Sequence, residues 1–146
     1  GGLSTGQLIL DKHKDKECLR MRGDVTTENN GGFLQIALSL SDIAQPDSDV
    51  FDASAYSGVE LEVSGNDENY NIHFRTGGLW FPWQSYRASF TAVDSWQTIR
   101  IPFASLQPYK TIQTFSPKEL IRIGLVAIGR KFQADLCLAS VKFYSE

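Results

Sequence analysis

The chain has 146 residues, of which 42% are hydrophobic and 21% are charged. These values are close to globular averages and exclude intrinsic disorder and a fibrous repeat. The formal net charge of −3 at pH 7 argues against nucleic acid as a partner, because phosphate backbones attract clustered Lys and Arg. No stretch approaches the roughly 18 apolar residues that a membrane-spanning helix needs, so we expect one water-soluble domain over residues 1–146.

Short apolar blocks of the kind that form β-strands recur along the chain, with turn residues between them. In one block Tyr70, Ile72 and Phe74 alternate with polar residues, which predicts one face towards a core and one polar face. The predicted strands are residues 7–10, 17–25, 33–40, 58–64, 69–76, 86–92, 96–103, 121–128 and 135–144.

The segments between these blocks predict tight reversals and very little helix. Residues 29–32 and 65–67 are rich in Asn, Asp and Gly, which supply the positive φ angles of turns. Residues 116–119 carry a capping pattern for one helical turn, and residues 52–56 read as a similar single turn. Eight or nine strands in one domain favour a two-sheet sandwich, so we predict an all-β jelly roll of two antiparallel sheets.

Motifs for catalysis or metal binding are weak in this chain. Residues 2–6 match G-x-S-x-G literally, but the flanking strand and helix of a nucleophile elbow are missing. Residues 22–24 spell Arg-Gly-Asp inside a predicted strand rather than at an exposed loop tip. Asp47, Asp49 and Asp52 could offer oxygen ligands to calcium but lack the Gly and the distal Glu of an EF-hand loop. We therefore expect no catalytic residue, no metal site and no cofactor.

The two cysteines, Cys18 and Cys137, lie near opposite ends of the chain in apolar segments. Two cysteines without a CxxC pair are too few ligands for zinc. A disulfide between them requires the two terminal strands to be neighbours, whereas free cysteines are also commonly buried. We favour free thiols.

The most informative stretch is residues 70–90, where two predicted strands flank a loop with three large aromatic residues. Such a loop needs either burial or a ligand. In one alternative it caps the core and the nearby arginines pair with carboxylates. In the other, the aromatic rings and the polar strand face form a ligand site. The predicted ligand- or partner-binding residues are His73, Arg75, Trp80, Trp83, Tyr86 and Arg87.

Six ordered blocks of the sequence carry a family resemblance: residues 1–6, 19–33, 51–65, 70–90, 96–103 (WQTIRIPF) and 121–144. In these blocks the chain resembles the complex I intermediate-associated protein family in its bacterial form. The resemblance implies a galactose-binding-type jelly roll, similar in fold to β-glucan-binding carbohydrate-binding modules, with an N-terminal edge strand missing upstream of Gly1. It also implies kinship with mitochondrial chaperones that assemble the membrane arm of respiratory complex I.

Two functions of different class follow from these observations. The first is protein binding through Trp80 and Trp83, with a respiratory complex subunit or assembly intermediate as the partner. The alternative is a carbohydrate-binding module that holds a β-glucan or a galactoside on the polar sheet face. Sugar platforms carry solvent-facing aromatics on their strands, so the core register predicted for Tyr70, Phe74, Tyr86 and Phe90 favours the protein partner.

An enzymatic function would need a general base, which could arise if His73 pairs with Asp67 or Glu68. Because nothing in the sequence sets that geometry, we expect a binding protein rather than an enzyme. The chain opens with Gly rather than Met, so a targeting segment could precede it, and the bacterial cytoplasm is the favoured location.

Overall fold

The structure is a computed structural model that describes residues 5–28, 31–42 and 49–146. Within these residues the chain forms ten strands. They are β1 (Thr5–His13), β2 (Lys16–Val25), β3 (Phe33–Ser39), β4 (Gly58–Ser64), β5 (Glu68–Thr76), β6 (Ser85–Ala92), β7 (Gln97–Pro102), β8 (Gln107–Tyr109), β9 (Leu120–Ile128) and β10 (Phe132–Tyr144). Single 3₁₀ turns lie at Leu40–Asp42, Phe103–Ser105 and Pro117–Glu119.

The strands form two five-stranded antiparallel sheets in the described part of the chain. The first sheet has the order β1-β2-β10-β4-β7, and the second has the order β3-β9-β5-β6-β8. This arrangement confirms the predicted all-β jelly roll. Strand β8 was not predicted, because it is short and contains Pro108, which lacks the N–H of a ladder donor. No helix in the described residues is long and apolar enough to cross a membrane.

Burial in β5 and β6 follows the period of two that the sequence predicts. Tyr70, Phe74, Tyr86 and Phe90 are buried, as their predicted core register requires. The rings of Phe74 and Tyr86 both pack edge-on against Phe115, which closes one part of the core. Alternate residues of the same strands therefore face outwards on the second sheet.

In both predicted turns a described residue of the predicted segment has a positive φ. In the reversal between β4 and β5 the residue with positive φ is Asp67, at 66°. Gly65 is required by close approach, since a Cβ there would lie 2.4 Å from the Cβ of Ala92. In the segment before β3, Gly31 has a φ of 78°, while Asn29 and Asn30 lie outside the described residues.

The two predicted helical turns have separate outcomes. Residues 117–119 form a 3₁₀ turn without a side-chain hydrogen bond from Ser116, so the predicted capping box is absent from this described segment. Residues 52–56 form a hydrogen-bonded turn, in which the Tyr56 N–H donates to the Ala53 carbonyl at 3.0 Å. The Asp52 carboxylate accepts the Ser54 N–H at 2.9 Å within that turn.

A disulfide joins Cys18 and Cys137, so the prediction of free thiols was wrong. The physical reason is topological. The two strands that carry them, β2 and β10, are neighbours in the first sheet, with Leu138 opposite Leu19. This places the two Cα atoms 5.5 Å apart, within the range that a disulfide spans. A crosslink that closes such a long loop can stabilise a domain by up to roughly 5 kcal/mol, because it constrains the unfolded chain.

Candidate functional site

The outer face of the second sheet brings polar residues from three neighbouring strands together. Residues directly opposite each other in an antiparallel ladder point to the same face. His73 of β5 lies opposite Arg87 of β6 and, on its other side, opposite Gly124 of β9. Arg75 lies opposite Arg122. The register therefore concentrates arginines around one histidine in the middle of the sheet.

A groove of about 270 Å³ runs over this face. Gly124 lies beneath it, and a Cβ at this position would lie 3.2 Å from Gln35 Oε1. The missing side chain therefore keeps space open beside His73. Exposed aromatic rings also line the groove, from Phe33 on β3, Trp83 in the loop before β6 and Tyr109 on β8. Apolar walls with a few converging polar groups are typical of ligand sites.

Three arginines line the groove, and two of them are held by contacts from their side chains. Arg75 Nη1 donates to the backbone carbonyls of Phe81 at 2.9 Å and Gln84 at 2.6 Å. Arg87 Nε donates to Ser85 Oγ at 2.8 Å, and its Cζ lies 3.5 Å from the centroid of the Tyr109 ring. Arg122 has neither a hydrogen bond nor an ion pair from its side chain to any described residue.

The groove is positively charged, although the whole chain is acidic. Among the described residues that line it, none is Asp or Glu. The alternative in which these arginines pair with carboxylates is therefore wrong for the described part of the chain. Burial, and then repulsion from Arg122, lowers the pKa of Arg75. Burial likewise lowers the pKa of Arg87.

His73 is neutral at pH 7. Burial, followed by the positive charge of Arg87, lowers its pKa to about 4. Its Nε2 is buried and has no hydrogen-bond partner among the described residues. The imidazole therefore adds a polar group to the groove without adding to its charge.

The loop of residues 77–84, here called the aromatic loop, stands at the edge of the groove and is tied down by Gln84. The Gln84 side chain accepts the N–H groups of Trp80 and Phe81, both at 3.0 Å, and donates to the Lys110 carbonyl at 3.0 Å. The rings of Phe81 and Trp83 stack with centroids 4.7 Å apart. Trp80 is 85% exposed and Trp83 is 57% exposed, so these rings do not cap the core; the part of the loop that packs into the core is Leu79.

Four of the six predicted site residues line the groove: His73, Arg75, Trp83 and Arg87. Trp80 lies on the aromatic loop but is not among the residues that line the groove. The structure therefore brings most of the predicted site residues together in the groove, and Trp80 lies on the loop at its edge.

Tyr86 is not brought into the groove. It is 1% exposed, and its hydroxyl donates to the Gln113 carbonyl at 3.1 Å. Its neighbours Ser85 and Arg87 line the groove, so the strand period of two turns the Tyr86 ring to the core. Tyr86 supports the site from below rather than meeting a ligand.

The sequence analysis missed several residues that line the groove: Phe33, Gln35, Tyr109, Arg122 and Gly124. A signal for Arg122 was present, because it interrupts an otherwise apolar strand on the face opposite Ile123. Tyr109 carried no such signal, since β8 itself was not predicted.

The residues that an enzymatic function would use lie apart in the structure. The Asp67 carboxylate accepts the Asp94 N–H at 3.1 Å, and Glu68 forms an ion pair with Arg130. Neither lines the groove, so His73 has no carboxylate partner among the described residues. Asp47 lies outside the described residues, and within them no cluster of three or more His, Cys, Asp or Glu could hold a metal. The Arg-Gly-Asp tripeptide of residues 22–24 lies inside β2, as predicted.

Comparison with solved structures identifies the fold. A family 11 carbohydrate-binding module of the cellulosomal cellulase Lic26A-Cel5E of Clostridium thermocellum superimposes with a TM-score of 0.76 at 15% identity, covering 100% of this chain and 85% of that one. The Clostridium thermocellum family 11 module solved with a β-1,3-1,4-mixed-linked tetrasaccharide gives 0.75 at 15% identity, covering 99% and 85%. The family 30 module of the cellulase Cel9D-Cel44B, also from Clostridium thermocellum, gives 0.69 at 18% identity, covering 99% and 91%.

Sequence comparison gives a match at the level of a family. The family described as Complex I intermediate-associated protein 30 (CIA30) matches residues 1–138. No curated protein matches the chain significantly.

Proposed function

Because the chain belongs to the complex I intermediate-associated protein 30 family, we propose that it is a non-catalytic binding module for a protein partner. The aromatic loop and the groove beside it form the binding surface. The observation that carries this proposal is that Trp80, Phe81 and Trp83 are exposed on a loop that Gln84 holds in place. Trp and Arg are the residue types enriched at interface hot spots.

Exposed apolar side chains lie both on the aromatic loop and on the segment that follows β8. The Gln84 side chain links the loop to the Lys110 carbonyl, and Ile112, two residues further on, is fully exposed. Exposed apolar patches on a folded domain commonly mark contacts with other proteins. Because the loop is already ordered by side-chain hydrogen bonds, binding would cost little conformational entropy.

The test is affinity capture from a lysate of the source organism, with the partner identified by mass spectrometry. We expect subunits or assembly intermediates of respiratory complex I to be enriched by the unmodified chain and lost with the double variant Trp80→Ala and Trp83→Ala. Leu10→Ala is the matched control, because Leu10 is 88% exposed on β1 of the other sheet. Failure to enrich respiratory proteins, or equal loss with Leu10→Ala, would contradict the proposal.

Carbohydrate binding is a second candidate, favoured by the position of the groove on a sheet face. Phe33 and Tyr109 are exposed there on β3 and β8, so this face carries strand aromatics that the sequence analysis did not identify. An aromatic ring can stack on a pyranose while Arg, Gln and Ser groups bind its hydroxyls. One face of Tyr109 is already covered by Arg87, which leaves less ring surface for a sugar.

Titration calorimetry with mixed-linked β-glucan oligosaccharides and with galactosides tests the second candidate. Carbohydrate binding would give a heat signal that is lost in Tyr109→Ala and retained in Leu10→Ala. An absence of heat at millimolar sugar would eliminate this function and leave the protein-binding proposal in place.

A further inference from the structure

We propose that the groove recognises a carboxylate-rich extended segment of the partner, with Arg122 and Arg87 as the charges that bind it. This inference rests on the proposed protein-binding function and adds the chemistry of the partner. It follows from the hydrogen-bonding capacity of the groove and from the arrangement of its charges.

Among the described residues, the groove offers more free hydrogen-bond donors than free acceptors, because its arginines outnumber its unpaired acceptor groups. The Arg122 guanidinium makes no hydrogen bond or ion pair with any described residue. Its N–H donors are therefore available to a ligand. Two of the nearby acceptors are already in use, because Gln84 Oε1 accepts two backbone N–H groups and Ser85 Oγ accepts from Arg87. A ligand rich in acceptors is therefore the best match.

The charge arrangement costs the folded protein stability that an anion would restore. Arg75 and Arg122 lie directly opposite each other on β5 and β9, and like charges in that position are unfavourable. Elsewhere the fold pairs its arginines: Arg20 binds Asp11 and Asp135, and Arg130 binds Glu68. Because a ligand that binds the folded state stabilises it, a bound carboxylate would offset the repulsion in the groove.

The setting of the groove favours a peptide over a sugar as the source of the carboxylates. Arginine binds carboxylates through paired hydrogen bonds, a geometry that a neutral sugar hydroxyl does not match. An extended peptide places side chains of one face roughly 6.6 Å apart, a spacing that long Glu and Arg side chains can bridge. The adjoining aromatic loop exposes Trp80, Phe81 and Trp83, and aromatic side chains of this kind are enriched at protein interfaces.

The test is fluorescence anisotropy with a labelled oligoglutamate peptide, and with an oligoglutamine peptide of the same length as the neutral comparison. We expect oligoglutamate to bind, with an affinity that falls about tenfold in Arg122→Gln and in Arg87→Gln and that weakens as salt is added. Arg22→Gln is the matched control, since Arg22 is an exposed arginine on the first sheet. A thermal melt of each variant confirms that it is folded.

Several outcomes would overturn this inference. Equal binding of oligoglutamine, equal loss in Arg22→Gln, or no binding of either peptide would each do so. Binding of oligogalacturonate in place of oligoglutamate would assign the groove to an acidic glycan instead. If a captured respiratory partner is lost with the Trp80 and Trp83 double variant but retained with Arg122→Gln, the protein-binding function stands and the acidic-segment inference fails.

Discussion

The guanidinium of Arg87 lies over the ring of Tyr109, with its Cζ 3.5 Å from the ring centroid. This contact joins β6 to its neighbour, the short edge strand β8, at the side of the groove. We expect a double-mutant cycle with Arg87→Ala and Tyr109→Ala to give a coupling energy of about 0.5–1 kcal/mol, the usual range for an exposed cation–π pair. Urea denaturation of the four proteins measures it, and additive effects of the two substitutions would contradict the contact.

The stability of the domain should depend on the protonation of His73. Its pKa is lowered to about 4 in the folded chain from an ordinary value of 6.5, by burial and by Arg87. The unfolded chain therefore takes up a proton below pH 6.5 that the folded chain refuses until about pH 4, so stability falls as the pH drops through this window. A shift of this size is worth on the order of 3 kcal/mol.

The measurement for His73 is the free energy of unfolding between pH 7 and pH 4, for the unmodified chain and for His73→Gln. The difference between the two curves isolates His73 from the carboxylates that also titrate at the acid end. NMR titration of the ring provides a direct check, and a His73 pKa near 6.5 would rule out the neutral, buried imidazole.

Removing each of two buried hydroxyls should have a different effect on the stability of the domain. Tyr70 Oη donates to Asn66 Oδ1 at 2.6 Å and accepts the Asp135 N–H at 2.9 Å. Ser64 Oγ is buried with no hydrogen-bond partner among the described residues. Tyr70→Phe should cost about 1–3 kcal/mol because it leaves buried polar groups unpaired, whereas Ser64→Ala should be neutral or stabilising. Chemical denaturation of both variants measures this, and a loss in Ser64→Ala equal to that in Tyr70→Phe would contradict it.

The fold was largely predictable because period-two burial is a local property. Residues 58–64 were predicted as a strand with the bounds that the structure shows. The faces of β5 followed from the alternation around Ile72, which put His73 and Arg75 on the outer side. In the sequence analysis, Tyr86 was assigned both to the core and to the site. Side chains alternate between the two faces of β6, so Tyr86 lies in the core only.

Strand neighbours, by contrast, depend on contacts between distant parts of the chain. Arg122 meets Arg75 because β9 lies between β3 and β5, an order that no local pattern encodes. The bridge between Cys18 and Cys137 has the same origin, since it requires β2 and β10 to be adjacent. Periodicity shows which face of the sheet a residue lies on. Which residues lie next to it on the neighbouring strands depends on the topology.

The order of the aromatic loop should depend on the side chain of Gln84. Gln84→Ala removes the acceptor for the Trp80 and Phe81 N–H groups and the donor to the Lys110 carbonyl, so we expect a loss of about 1–2 kcal/mol. Hydrogen exchange at the Trp80 and Phe81 amides should also become faster, because each loses its acceptor. Gln84→Glu is an informative control: its carboxylate can still accept both amides but cannot donate to Lys110, so protection at Trp80 and Phe81 should persist. If Gln84→Ala leaves exchange at these two amides unchanged, the loop is ordered by other contacts and its preorganisation for a partner does not come from Gln84.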